Sequence, residues 1–151
     1  MVEMVEMAET STRMSREQID VFLATPRHAI VAVQRADGRS QLSPVWYVFE
    51  ESRFYFSTFV QAAKCRHLRE DSRIAICVDG AHPDARFVSI YGTAEIIEED
   101  SPWRDELEWR IMRRYHESDE DAQRWEAEVA AQGPGALVVV SPERIIGWDY
   151  N

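Results

Sequence analysis

The chain has 151 residues, a length that fits one domain with a hydrophobic core of its own. Its formal net charge of −10 argues against nucleic acid as the main partner and against binding to an anionic membrane surface. No apolar run is long enough to span a membrane, and the acidic N-terminus lacks the basic residues of a signal peptide, so we expect a cytoplasmic protein. The cysteines and histidines lack the spacing of metal ligands, and we predict no metal site.

The N-terminal residues predict a tail followed by a short helix. Residues 1–14 are polar and aperiodic, which is typical of a flexible tail ahead of a single domain over residues 15–151. Ser15 and Gln18 have the spacing of a capping box, so we expect a helix to begin at this point. The pair Thr25-Pro26 ends that helix, because the residue before a proline avoids the helical conformation.

Three antiparallel strands are predicted next. Residues 29–34, 41–49 and 54–56 are rich in β-branched and aromatic side chains, which favour strands. Asp37-Gly38 is a strong hairpin signal between the first two segments, and residues 50–52 form the turn into the third.

The segment that follows these strands has the features of an anion site. Ser57 and Thr58 place two hydroxyls at the end of the third strand, and residues 61–70 contain good helix formers without Gly or Pro. Lys64, the only lysine of the chain, stands early in that helix, where unpaired N–H groups and the helix dipole favour an anion. The alternative is that Lys64 is a solvated charge on a surface helix.

The second half of the chain predicts more strands and two helices. Residues 73–78 form a strand, residues 79–84 a loop, and residues 87–97 a long strand in which Gly92 indicates a bulge or a close backbone approach. Two amphipathic, solvated helices follow, with Pro102 near the start of the first and Ser118 capping the second. Two last strands are expected at residues 137–140 and 144–148. This pattern is compatible with a small β-barrel, among several folds.

Three motifs resemble the FMN-binding split-barrel superfamily, which includes pyridoxamine 5'-phosphate oxidase, and most closely its branch that uses the deazaflavin coenzyme F420. The motifs are LSPVWY at 42–47, FST at 56–58 and KCRHLRED at 64–71. The chain departs from the family at His67, where Asn is usual, at Ser72, where Pro is usual, and in lacking an Arg shortly before the lysine. The resemblance implies a mainly β protein with flanking helices: a split β-barrel, a six- to seven-stranded antiparallel Greek-key barrel. It also implies a homodimer with cofactor sites at the subunit interface.

The resemblance assigns roles to individual residues. Ser57, Thr58, Lys64 and Arg66 would hold the cofactor phosphate, and the strand Ser43, Pro44, Val45, Trp46 would lie along the ring. Arg86 and Phe87 would reach the cofactor of the neighbouring subunit. His67 is either a further cofactor contact, replacing the usual Asn, or a polar residue on the helix surface. Trp148 and Tyr150 either wall the substrate pocket or pack the C-terminal strand.

The chain contains no nucleophile elbow, no Rossmann glycine fingerprint and no P-loop, and we assign no catalytic side chain. In such proteins the cofactor carries the chemistry. The resemblance implies an F420-dependent oxidoreductase that transfers a hydride between the reduced deazaflavin and an unsaturated small-molecule acceptor. The alternatives are an FMN-dependent oxidoreductase like pyridoxamine 5'-phosphate oxidase, and a non-catalytic protein that binds or carries a flavin or F420.

Overall fold

A computed structural model of the protein describes residues 12–151. In chain order the elements are α1 (Arg16–Ala24), β1 (Ala29–Gln34), β2 (Ser40–Val45), β3 (Tyr47–Glu50), β4 (Arg53–Phe59), α2 (Ala63–Glu70), β5 (Arg73–Asp79), β6 (Arg86–Ile97), α3 (Pro102–Arg114), α4 (Asp119–Ala131) and β7 (Gly135–Asp149). The predicted flexible tail falls largely on residues 1–11, outside the described residues. Residues 12–14 run beside the end of β7, where the backbone N–H of Met14 donates to the carbonyl of Gly147 at 2.9 Å.

All strands of the described chain belong to one antiparallel sheet, in the order β2-β1-β5-β6-β7-β4-β3. The sheet curls into a half-barrel with helices at its sides, which confirms the predicted split β-barrel with seven strands. Its two edge strands, β2 and β3, are consecutive in the chain and are separated by Trp46 alone. One residue therefore carries the chain from one edge of the sheet to the other.

The prediction of one continuous strand over residues 41–49 is wrong, because the chain changes partner at Trp46. Val45 pairs with Ala29 on β1, whereas Tyr47 pairs with Phe56 on β4. Alternating hydrophobicity in the sequence indicates which face of the sheet a residue occupies, but it does not indicate which strand pairs with that residue. Four strands, not three, therefore precede α2.

The prediction of two short C-terminal strands is also wrong, since β7 runs without interruption through Pro142. Pro142 lies opposite Gly92 at a shift of register between β6 and β7, and the pairing of β7 with β4 already stops at Val140. The missing N–H of proline is tolerated at such a bulge. A Cβ on Gly92 would lie 2.2 Å from the carbonyl oxygen of Ser141, which confirms the predicted close approach.

Two hydrophobic clusters hold the fold together. The larger one fills the barrel and includes Tyr47, Phe54 and Phe56, with Phe22 of α1 packed against them. The smaller one lies on the opposite face of β3, β4 and β7, where Leu107 is among the buried residues contributed by α3. This part of the sheet is thus buried on both faces. No helix in the described residues has the combination of length and hydropathy that a membrane span requires.

Arg104 is the one charged side chain that is buried in the described chain, with 4% of its surface exposed. Its guanidinium donates to the carbonyls of Glu98 and Gly135, both at 2.7 Å, and to the Glu108 carboxylate at 3.0 Å. These contacts fasten the start of α3 to the end of β6 and the start of β7. All three acceptors would lose a charged donor if this side chain were removed.

Replacing Arg104 by Met should therefore destabilise the protein by about 3–5 kcal/mol, the range for breaking a buried ion pair. The control is Arg110→Met, which removes a partly exposed ion pair with Glu50 and should cost about 1 kcal/mol or less. Urea unfolding of both variants measures the difference. Equal, small losses in the two variants would contradict a structural role for the buried guanidinium.

Candidate functional site

A cleft of about 1000 Å³ separates one end of the barrel from the paired helices α3 and α4. The barrel contributes the ends of β2 and β4 and the start of α2. The helices contribute the opposite wall. The barrel side contains residues predicted from the sequence to bind the cofactor: Pro44, Val45, Trp46, Ser57, Thr58 and Lys64.

The strand register explains why these residues meet. Because Tyr47 pairs with Phe56, the neighbouring residues Trp46 and Ser57 lie at the same end of the sheet. β4 ends at Phe59, and α2 begins a few residues later at Ala63, so Lys64 follows the hydroxyls closely. Motifs that are far apart in the sequence are thus brought to one wall.

Lys64 occupies the first turn of α2 in an environment that suits an anion. Burial lowers the pKa of its ammonium group below the usual value. The first turn of α2 contains no acidic residue, and no side chain caps its N-terminus. Within residues 12–151 the Lys64 ammonium has neither an ion pair nor a hydrogen bond. A half-buried cation without a partner is unfavourable, and a bound phosphate would supply the missing charge.

Trp46 joins the barrel wall to the helical wall. Its ring stacks on Tyr115 with 5.0 Å between centroids and meets the edges of His116 and Trp125 at 5.3 and 6.4 Å. The Tyr115 hydroxyl donates to the carbonyl of Arg27 at 2.7 Å, which fixes the stacked ring against the chain entering β1. The indole at the strand crossing is therefore held from the helical side.

The helical wall is mainly apolar and was missed by the sequence analysis, which treats both helices as solvated. Trp109 and Met112 come from α3, and Val129 and Ala130 come from α4. The sequence does contain a signal for this wall. Trp109 and Met112 lie outside the buried face of α3 that contains Leu107, so they give the helix a second apolar face.

Carboxylates interrupt this apolar wall. Asp105, Glu108 and Glu126 line the cleft, and Glu108 is already paired with Arg104. Burial raises the pKa of Glu126, and the nearby charges of Glu108 and Asp105 raise it further. The cleft thus has a cationic side at Lys64 of α2 and a side rich in carboxylates on α3 and α4.

The other predicted site residues lie elsewhere in this chain. Ser43 does not line the cleft, and its Oγ is buried without a hydrogen-bond partner in the described residues. Arg66 is exposed and His67 is half-buried on α2, and neither lines the cleft.

Arg86 and Phe87 have structural contacts of their own. Arg86 donates to both oxygens of Asp84, at 2.9 and 2.7 Å, and Phe87 stacks on Tyr150 at 6.3 Å. Their contact with a neighbouring subunit's cofactor stays a prediction. Trp148 lies beneath the Arg13 guanidinium, and neither Trp148 nor Tyr150 lines the cleft.

No group of three or more His, Cys, Asp or Glu side chains in residues 12–151 is arranged to hold a metal ion. The barrel side of the cleft offers the hydroxyls of Ser57 and Thr58 and the ammonium group of Lys64 as donors, whereas the Arg104 guanidinium on the other side is already bonded to Glu98, Gly135 and Glu108. This donor set fits the phosphate of a flavin-type cofactor.

Comparison with known proteins gives one family match. The profile of the pyridoxamine 5'-phosphate oxidase family matches residues 15–149. No curated protein sequence matches the chain significantly.

Solved structures share the fold. A conserved hypothetical protein from Mycobacterium tuberculosis is 26% identical with a TM-score of 0.74, and the match covers 91% of this chain and 86% of that one. A protein named F420 reductase is 20% identical with a TM-score of 0.62, covering 83% and 94%. A FAD-binding protein from Mesorhizobium loti is 17% identical with a TM-score of 0.70, covering 92% and 97%. The last two matches show the fold alone.

The family profile spans nearly all of the described chain, and the split barrel agrees with it. The chain belongs to the pyridoxamine 5'-phosphate oxidase family of split-barrel, flavin-binding proteins.

Proposed function

We propose that the protein is an F420-dependent oxidoreductase that transfers a hydride between the reduced deazaflavin and an unsaturated small-molecule acceptor in the cleft. The observation that carries the proposal is the half-buried Lys64, which has no partner in the described residues and lines the same cleft as Ser57 and Thr58. Family membership supports a flavin-type cofactor, and the name of one structural relative, F420 reductase, supports the deazaflavin.

The phosphate would be held at the start of α2. Lys64 would supply a charge-assisted hydrogen bond, and the hydroxyls of Ser57 and Thr58 would donate two more. The N-cap residue Ala62 offers no side-chain acceptor, and the N–H of Cys65 already donates to the Ala62 carbonyl. The N–H groups of Ala63 and Lys64 have no acceptor within residues 12–151 and would be available to an anion.

The ring would lie along the end of β2. β2 is an edge strand paired only with β1, so its other side presents backbone groups that no strand occupies in the described residues. Those groups can orient a heterocycle edge, while Trp109, Met112 and Val129 exclude water from the opposite side. When bound, the deazaflavin supplies the hydride chemistry, and the chain positions and shields it.

The acidic tail of F420 would need positive charge near the phosphate, because the overall charge of −10 repels anions. Of the arginines near Lys64 in sequence, Arg69 is paired with Glu98 and Arg73 with Asp71. Arg53 begins β4, roughly 17 Å along the strand from Thr58. Arg66 remains as an exposed arginine on α2 without an ion pair in the described residues, and we propose that it meets the tail.

Replacing Lys64 by Ala should weaken binding of F420 and of FMN by about 1.5–3 kcal/mol, the value of a hydrogen bond to a charged group. Lys64→Arg should be milder, because the charge remains and only the shape of the donor changes. Titration calorimetry measures both. The control is Arg39→Gln, which removes an exposed charge in the β1–β2 hairpin and should leave affinity unchanged. Wild-type affinity in Lys64→Ala would remove this residue from the site.

We further propose that the protein is a homodimer that meets through the outer face of β2, β1, β5 and β6. This face exposes Leu42, Ile30 and Tyr91 by 64%, 41% and 49%, an unusual run of apolar surface. Ile30 lies between Pro44 and Cys77, which are also exposed. Pro44 also lines the cleft, so a second copy on this face would border the cofactor site.

A charge placed in this face should separate the subunits. Leu42→Glu should convert the dimer to a monomer in analytical ultracentrifugation at micromolar concentration and should lower cofactor affinity, because the cleft loses its neighbour. The control, Val21→Glu, changes an apolar residue of α1 that is 71% exposed and should remain dimeric. A wild-type monomer that binds the cofactor tightly would refute the proposed assembly.

A further inference from the structure

We propose that a second pocket, at the start of α1, binds a small organic anion: an oxyanion carried on an apolar body. The pocket has a volume of about 380 Å³ and lies where residues 13–14, α1 and the second half of β7 meet. Ser52, which lines it, precedes β4, whereas Thr58 of the cleft lies near the other end of that strand. The two cavities are therefore on the order of 20 Å apart along β4.

The pocket has a local excess of positive charge in an acidic protein. Its lining contains three guanidinium groups, those of Arg13, Arg16 and Arg144, and one carboxylate, that of Glu143. This concentration contrasts with the net charge of −10 of the whole chain. A local positive field of this kind attracts anions even when the overall field repels them.

Two of these guanidinium groups have no ion-pair partner among residues 12–151, which leaves them available to a ligand. Arg144 is exposed and has neither an ion pair nor a hydrogen bond from its side chain within residues 12–151. Arg13 lies over the Trp148 ring at 5.5 Å, and its guanidinium has no hydrogen bond or ion pair with the described residues. Arg16 donates to Asp20 at 2.9 Å and to the Ser52 hydroxyl at 3.1 Å, which holds it at the pocket edge.

The floor of the pocket is apolar and tightly packed. Met14, Ile19 and Ile146 line it and are buried. A Cβ on Gly147 would lie 2.8 Å from Ile19 Cγ1 and 2.9 Å from Met14 Sδ, so a glycine is needed for this packing. An apolar floor beneath a guanidinium rim favours a ligand with both parts, because the planar fork of arginine matches a carboxylate or a phosphate.

Such a ligand would connect three parts of the fold. Arg13 belongs to the segment before α1, Arg16 to α1 and Arg144 to β7. The first segment is held to β7 by the Arg13–Trp148 bridge and by the Met14 N–H bond to the Gly147 carbonyl. An anion shared by the guanidinium groups should therefore slow amide hydrogen exchange at residues 13 and 14.

The test uses phenyl phosphate, benzoate and inorganic phosphate as probes of the full-length protein, measured by calorimetry and by hydrogen exchange. Phenyl phosphate or benzoate should bind more tightly than inorganic phosphate, and residues 13 and 14 should become protected. Arg144→Gln and Arg13→Gln should each weaken that binding about ten-fold or more, as loss of a charged hydrogen bond implies. Arg39→Gln should leave it unchanged, and in Lys64→Ala the probe should still protect residues 13 and 14.

Three results would overturn the proposal. One is the absence of saturable binding of either organic probe. Another is equal binding in the Arg13 and Arg144 variants and the wild type. The third is loss of binding in Lys64→Ala with no protection of residues 13 and 14, which would place the probe in the cleft. Because these readouts do not depend on hydride transfer, the proposal stands or falls separately from the proposed function.

Discussion

The architecture depends on the crossing at Trp46, where the chain leaves one edge of the curled sheet and joins the other. Val45 completes the pairing with β1, and Tyr47 opens the pairing with β4. This change of partner brings the end of β2 beside the end of β4, so the two barrel motifs of the cleft become neighbours. The stacking of Trp46 on Tyr115 then attaches the helical pair to the same point. Trp46 thus lies at the strand crossing that shapes the fold and also lines the candidate site.

The electrostatics of the cleft point to its use. Partial burial of an ammonium group without a partner costs free energy, and a bound anion would supply the missing opposite charge. Lys64 meets this description, whereas Arg104, the buried cation on the other side, is fully used in holding α3. The two cations lining one cleft therefore have different roles: Lys64 is available to a ligand, and Arg104 stabilises the wall.

Local signals predicted the parts of the fold that neighbouring residues determine. The Ser15–Gln18 capping box, the Asp37-Gly38 hairpin and the close approach at Gly92 are all present in the structure. The break at Trp46 and the continuity of β7 through Pro142 were not predicted, because both depend on which strand lies alongside. Which strands pair with each other is determined by the tertiary fold and produces no periodic pattern in the sequence.

The same division applies to the site. The sequence motifs located Lys64, Ser57 and the segment of Pro44, Val45 and Trp46, and the structure brings them to one cleft. The helical wall was missed, because the position of α3 and α4 over the barrel is a long-range contact. Trp109 and Met112 became interpretable only when the buried face of α3 was known.

The most direct test of the proposed function is an anaerobic turnover measurement with reduced F420 and a panel of small unsaturated acceptors, such as enones and nitroaromatic compounds. The wild-type protein should accelerate oxidation of the reduced deazaflavin when an acceptor is added, and Lys64→Ala should lower this rate at subsaturating F420. Tight F420 binding without acceleration by any acceptor would indicate a carrier. Turnover with reduced FMN and none with reduced F420 would contradict the proposed cofactor.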